Sequence, residues 1–120
     1  MEPLKLCASD YKFMTVVWKN EPVHSGELVK ICQEELGWKK STTYTMVKKL
    51  EKKGFLKNEN SVVRACIPRK KVQAFKSEYI VNHAFEGSLP AFIASFISNR
   101  RLSEKEITEI KRLIDDMSEE

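Results

Sequence analysis

The residues that carry most enzyme and metal chemistry are scarce in this chain. His24 and His83 are the only histidines among 120 residues. Neither lies in a carboxylate pattern that would make it a general base or a metal ligand. The three cysteines, Cys7, Cys32 and Cys66, are odd in number and far apart, which excludes a disulfide framework and leaves no ligand spacing for a metal. Cys32 and Cys66 sit among apolar neighbours and read as buried thiols. The chain holds no G-x-G-x-x-G, G-x-x-x-x-G-K-[ST] or H-E-x-x-H. No catalytic residue, metal or cofactor is therefore implied, and an enzyme is not expected. No apolar run approaches the ~20 residues that span a bilayer. Met1–Cys7 is followed by Ser9, Asp10 and Lys12 rather than by the apolar stretch of a signal peptide. A cytoplasmic protein without membrane insertion is the expectation.

What the chain has is positive charge, unevenly spread. Lys and Arg total 21 against 17 Asp and Glu, a formal net charge of +4. Residues 1–70 hold 14 basic and 8 acidic side chains, or +6, and residues 71–120 hold 7 and 9, or −2. A basic first half suits a polyanion-binding module. The length allows one ordinary domain, or a small domain with an extension.

Periodicity divides the first half into three short helices and a hairpin. Ser9 is placed to cap a helix whose stripe is Phe13, Met14, Val17 and Trp18, and Pro22 ends it. Val23 and His24 suit a very short strand. A second helix opens at Ser25, turns Leu28, Val29, Cys32 and Leu36 inward, and stops at Gly37. A third runs from Ser41 to Lys53, with Val47 and Leu50 toward the core and Thr43 and Met46 beside them. Phe55–Lys57 reads as a strand, 58–61 as a turn, and Val62–Ile67 as a second strand ended by Pro68. Three helices closed by a hairpin make a winged helix-turn-helix, with the hairpin as the wing. The fold class is thus mainly α with a small β-hairpin. The predicted domains are a DNA-binding domain over 1–70 and a helical dimerisation domain over 71–120.

The third helix opens with threonines and a tyrosine, which are poor helix formers beside alanine or leucine. Function explains them better than propensity does. In a helix-turn-helix the second helix of the motif enters the major groove and reads bases with its first turns. Hydroxyls on Ser41, Thr42, Tyr44 and Thr45 suit base edges. Lys40, Lys48, Lys49 and Lys52 suit backbone phosphates, which position a protein without reading sequence. Arg64, with Lys57, would bring charge along the wing. Trp38 reads as a packing residue that fixes the turn. The competing reading is a winged helix used as a protein-interaction module, its basic helix coincidental. Salt dependence of duplex binding separates the two.

The second half is apolar in a different way. Val72, Phe75, Tyr79 and Ile80 follow a helical period that Gly87-Ser88 interrupts. Leu89, Phe92, Ile93, Phe96 and Ile97 give a short apolar helix. Ser103 then caps a third, with Glu106 at the capping-box position and a stripe of Ile107, Ile110, Ile114 and Met117 spaced as an a/d seam. Three short helices of this apolarity cannot form a separate globule. Pairing with the same region of a second chain is the simplest solution, with Phe75, Tyr79, Leu89, Phe92, Ile93, Phe96 and the four stripe residues as the contact set.

The order of elements and several motifs resemble the penicillinase repressor family (BlaI/MecI), regulators of beta-lactam resistance. The closest correspondence runs from Trp38 to Phe55, W-K-K-S-T-T-Y-T-M-V-K-K-L-E-K-K-G-F, where Thr42, Thr45, Met46, Val47, Lys48, Lys49, Leu50, Lys53, Gly54 and Phe55 fall on the family's pattern. Arg64–Pro68 is similar to the family's wing strand, with Cys66 where an aromatic is usual. Leu102, Ser103, Glu106, Ile107 and Ile110 match its C-terminal segment. The resemblance implies a homodimer on a palindromic operator that represses transcription. It also implies a membrane sensor-protease, or a protease it activates, as the partner that relays a beta-lactam signal, and cleavage in the dimerisation region. The matching bond is Ser95-Phe96, with Ser95 where the best-known members have Asn. The Cys-x-Cys ending of the copper-responsive branch is not present.

Overall fold

A computed structural model describes residues 4–118. The order of elements is α1 (Ala8–Asn20), β1 (Val23–His24), α2 (Ser25–Leu36), α3 (Lys40–Lys52), β2 (Leu56–Glu59), β3 (Val62–Ala65), α4 (Arg69–Ala84), α5 (Leu89–Asn99) and α6 (Glu104–Ser118). The chain is mainly helical with one small antiparallel sheet, a winged helix-turn-helix followed by a helical region. Two compact units emerge, the first ending at Ser77 and the second beginning at Glu78.

The first unit is built on one core. Phe13, Met14 and Val17 come from α1, Leu28 and Cys32 from α2, and Met46, Val47 and Leu50 from α3. Phe55, Leu56, Val63 and Val72 close it. Helical periodicity places the apolar residues of each helix on one stripe, so three stripes meet and exclude water. Val72 is completely buried, so the first turn of α4 belongs to this core.

Local chemistry sets the boundaries. The C-cap Gly37 adopts φ 68°, the left-handed conformation in which glycine carries no Cβ penalty. The Gly37 N–H returns to the Gln33 carbonyl at 3.1 Å, the closure of the αL motif, and the Trp38 N–H reaches the Cys32 carbonyl at 3.3 Å. The N-cap of α2 is His24, whose Nδ1 accepts the Gly26 N–H at 3.0 Å. At α1 the cap position falls to Cys7, with no side-chain cap bond. Ser9, expected to cap, lies inside the helix because the chain enters helical geometry at Ala8.

The three strands lie in the order β1-β3-β2. The hairpin turns through Asn60 and Ser61, both at positive φ (52° and 66°). That is the conformation a two-residue hairpin needs to match strand twist. Strand β2 therefore runs on to Glu59, beyond the predicted Lys57, and the turn shrinks to two residues. Strand β3 ends at Ala65 rather than Ile67. Cys66 is exposed, a correction to its expected burial. It lies past the end of β3, where alternation no longer assigns it to a face.

The second unit is different. Among the described residues every large exposed hydrophobic side chain lies in it: Ile80, Leu89, Ile93, Phe96, Ile97, Ile107, Ile110, Leu113, Ile114 and Met117. Helix α5 opens at Ser88, whose Oγ accepts the Ala91 N–H at 3.1 Å. Helix α6 opens with the expected capping box. Ser103 Oγ accepts the Glu106 N–H and Glu106 Oε1 accepts the Ser103 N–H, each at 3.1 Å. The backbone bond from Ser103 is the first cause holding the Glu106 carboxyl below its ordinary value, and the nearby charge of Arg100 acts in the same direction.

Candidate nucleic-acid interface

Helix α3 has one face in the core and the rest in water. Thr43, Met46, Val47 and Leu50 are buried, whereas Lys40, Ser41, Thr42, Thr45, Lys48, Lys49 and Lys52 are exposed and Tyr44 is half-buried. A 3.6-residue period puts Ser41, Thr45, Lys48 and Lys52 along one outer strip, with Thr42 and Lys49 on its flank. The sequence-predicted readers are thus brought together on one outward surface.

Several features of this helix run against helical stability. Its N-cap is Lys39, with no side-chain cap bond, and its first turn holds no acid. Lys39 and Lys40 sit where the macrodipole disfavours cations. The opening N–H groups are left to solvent or to an anion. Lys40 Nζ lies 5.9 Å from the centre of the Tyr44 ring. Thr45 Oγ1 donates to the Ser41 carbonyl at 2.8 Å. That fixes the rotamer and leaves the methyl and the oxygen lone pairs for an outside partner.

The wing repeats the pattern. Lys57 lies directly opposite Arg64 in the β2–β3 register, and like charges in that position are destabilising. Both are exposed. Glu59 offsets part of the repulsion through a 2.6 Å ion pair with Lys57. The hydrogen bond between them raises the pKa of Lys57 and lowers that of Glu59, with their mutual charge acting the same way. Leu56 and Val63 point inward and anchor the hairpin on the core.

Two tryptophans fix the frame. Trp38 stacks on Phe13 with ring centroids 5.8 Å apart and planes 10° apart, which sets the turn leading into α3. Trp18 is half-buried, and its Nε1–H donates to the Ile67 carbonyl at 2.9 Å. That bond joins the end of α1 to the exit of the wing.

Sequence reasoning missed Asp10. It is only 1% exposed, and Lys49 Nζ approaches its Oδ1 at 2.9 Å while Lys53 Nζ approaches Oδ2 at 3.5 Å. Burial pushes the Asp10 carboxyl up. The hydrogen bonds from Lys49 and Cys7 and the charges of Lys49 and Lys53 outweigh burial and hold it below its ordinary value. The hydrogen bond to Asp10 in turn raises Lys49. Leu113, at 68% exposure, was also missed, since it lies one position before Ile114 in the seam. Among the described residues no three His, Cys, Asp or Glu side chains gather as a metal would require. No described helix is long and apolar enough to cross a membrane.

A family model described as penicillinase repressor matches residues 6–116. The methicillin resistance regulatory protein MecI of Staphylococcus aureus strain Mu50 is 20% identical over 114 residues, covering 92% of this chain and 93% of that protein. The penicillinase repressor of Bacillus licheniformis is 26% identical over 112 residues, covering 90% of this chain and 88% of that protein. An uncharacterized 16.5 kDa protein of Latilactobacillus sakei is 26% identical over 114 residues, 92% of this chain and 78% of that protein. The exposed hydroxyl and lysine surface of α3, the basic wing beside it and a match over nearly the whole length agree: the chain belongs to the penicillinase repressor family, as a winged helix-turn-helix DNA-binding repressor rather than an enzyme.

Proposed function

We propose that the protein represses transcription as a two-fold dimer on a palindromic operator, each protomer laying α3 in the major groove of one half-site. Thr42, Tyr44 and Thr45, with Ser41, read base edges. Lys40, Lys48, Lys52 and the wing residue Arg64 hold phosphates. The observation that carries this reading is the surface of α3, where hydroxyls and lysines replace the acids and caps that would stabilise a plain helix.

Dimerisation rests on the second unit. Apart from Ile80 at the end of α4, its large exposed hydrophobics lie on α5 and α6, and a patch of that extent on a small domain marks an interaction surface. A second copy presents the same stripe and closes it symmetrically. Loss of the dimer relieves repression, because joining two half-site readers raises avidity by ~10²–10⁴ over either alone. Cleavage within α5 has that effect without touching a DNA contact, and Ser95-Phe96 is the bond to examine, with a beta-lactam the first inducer to test and a membrane sensor-protease the partner that would relay it. Phe96 is 47% exposed, but the bond lies within a helix, so cutting requires α5 to open locally.

Titration of duplex DNA at two salt concentrations tests the DNA-binding reading. Affinity falls steeply with salt for a repressor that neutralises several phosphates. An interaction module shows no specific binding at any salt. Thr45→Ala shifts the preferred operator variants by ~1–3 kcal/mol at the affected base pair, and uniform weakening across all variants contradicts its role as a reader. Mass spectrometry after induction tests the release mechanism, and intact protein off its operator excludes cleavage.

A further inference from the structure

Among the described residues Asp10 is the one buried carboxylate. It sits in the first turn of α1, and Lys49 lies 39 positions further on, in α3. Each carboxylate oxygen takes a different lysine, Oδ1 facing Lys49 at 2.9 Å and Oδ2 facing Lys53 at 3.5 Å. The two lysines are four residues apart and so share one face of the α3 C-terminal end. Both are about half-exposed, whereas the carboxylate is closed off from solvent.

We infer that Asp10 is a positioning residue for DNA binding. It ties Lys49 and Lys53 to the scaffold and leaves Lys48 and Lys52 as the phosphate-contacting lysines in the last turns of α3. The inference rests on reading α3 as the DNA-contacting helix. If Lys49 left Asp10 for a phosphate, a buried carboxylate would lose its closest counter-charge, and breaking a buried pair costs far more than an exposed contact returns. Lys49 therefore stays on Asp10 when DNA binds. A two-point hold on neighbouring turns also fixes the rotation of α3 about its axis. That rotation decides whether Thr42 and Thr45 face the groove. The lysines of α3 look alike in sequence, and one buried carboxylate sorts them.

The test uses full-length protein and mixed-sequence duplex DNA, with affinity measured across a salt series. Lys48→Ala lowers the salt slope by about one unit. Lys49→Ala leaves the slope unchanged, whatever its effect on affinity. Asp10→Asn frees two lysines, steepens the slope by about one to two units and strengthens mixed-sequence binding several-fold at low salt. Against a selected operator the same variant loses discrimination between specific and mixed DNA. Circular dichroism verifies that each variant is folded. Should Asp10→Asn fail to fold, the comparison of Lys49→Ala with Lys48→Ala decides alone. Equal loss of slope from Lys48→Ala and Lys49→Ala overturns the inference and leaves the reading of α3 intact. No loss from either overturns both.

Discussion

Cutting the chain after Ser77 separates DNA reading from dimerisation, and the position of the cut matters. Val72 is completely buried in the first core, and full burial of a valine contributes ~1.5–3 kcal/mol. Lys76 Nζ lies 4.6 Å from the centre of the Tyr11 ring, a further contact between α4 and α1. A chain ending at Pro68 loses both. Set against a total stability of ~5–15 kcal/mol for an ordinary domain, the loss of Val72 alone leaves a domain at the low end of that range with only ~2–3.5 kcal/mol. A chain ending at Ser77 keeps both contacts and removes the exposed seam. It should sediment as a monomer and unfold cooperatively, and should bind a half-site about as well as the parent protomer does. On a full operator it should lose ~10²–10⁴ in affinity, or ~2.8–5.6 kcal/mol at 1.4 kcal/mol per tenfold. Analytical ultracentrifugation and operator titration at fixed salt give both readings. A Ser77-terminated chain that still sediments as a dimer, or that binds the full operator undiminished, refutes the assignment of dimerisation to the second unit.

Leu50 is fully buried where α3 meets the core, so Leu50→Ala should cost ~2–5 kcal/mol, measured by denaturant unfolding, with DNA binding lost in proportion to the unfolded fraction. Trp18→Phe removes the indole bond to the Ile67 carbonyl and should cost ~0.5–1.5 kcal/mol; no change in the urea midpoint would show that the bond adds nothing. The carboxyl of Asp10 is held below its ordinary value of 3.8, so its contribution to stability is present above that value and disappears as pH falls through the lower folded value. Urea midpoints across the acid range should fall there for the parent protein and much less for Asp10→Asn. Lys49, raised above 10.5, contributes below that pH and ceases to do so as pH rises through its higher folded value, so Lys49→Ala should flatten the alkaline limb.

The helices, the short first strand and the wing were readable from periodicity and breakers, because apolar stripes, Pro22, Gly37 and Gly87 act locally. The capping box at Ser103 and Glu106 was readable for the same reason. The hairpin register was not, since 58–61 contains no glycine to mark which two residues take positive φ. Cys66 was misassigned because its apolar neighbours suggested burial after the strand had already ended. The outward surface of α3 followed from its period, but the sorting of its lysines did not. Lys48 and Lys49 are chemically identical, and only a carboxylate 39 positions away in sequence distinguishes them. Such pairings are set by tertiary packing, and a single sequence gives no local sign of them.

The placement of the two tryptophans makes the molecule self-reporting. Trp18 and Trp38 both lie in the first unit, one bonded to the wing exit and the other stacked beside the entry to α3, while the second unit has none. Indole emission, excited at the red edge where tyrosine no longer absorbs, therefore watches the DNA-reading half alone. Assembly or scission of the other half leaves that signal almost silent unless the change is transmitted through the chain. A shift in emission on dimer loss would thus be direct optical evidence of communication between the two units, obtained without attaching a dye.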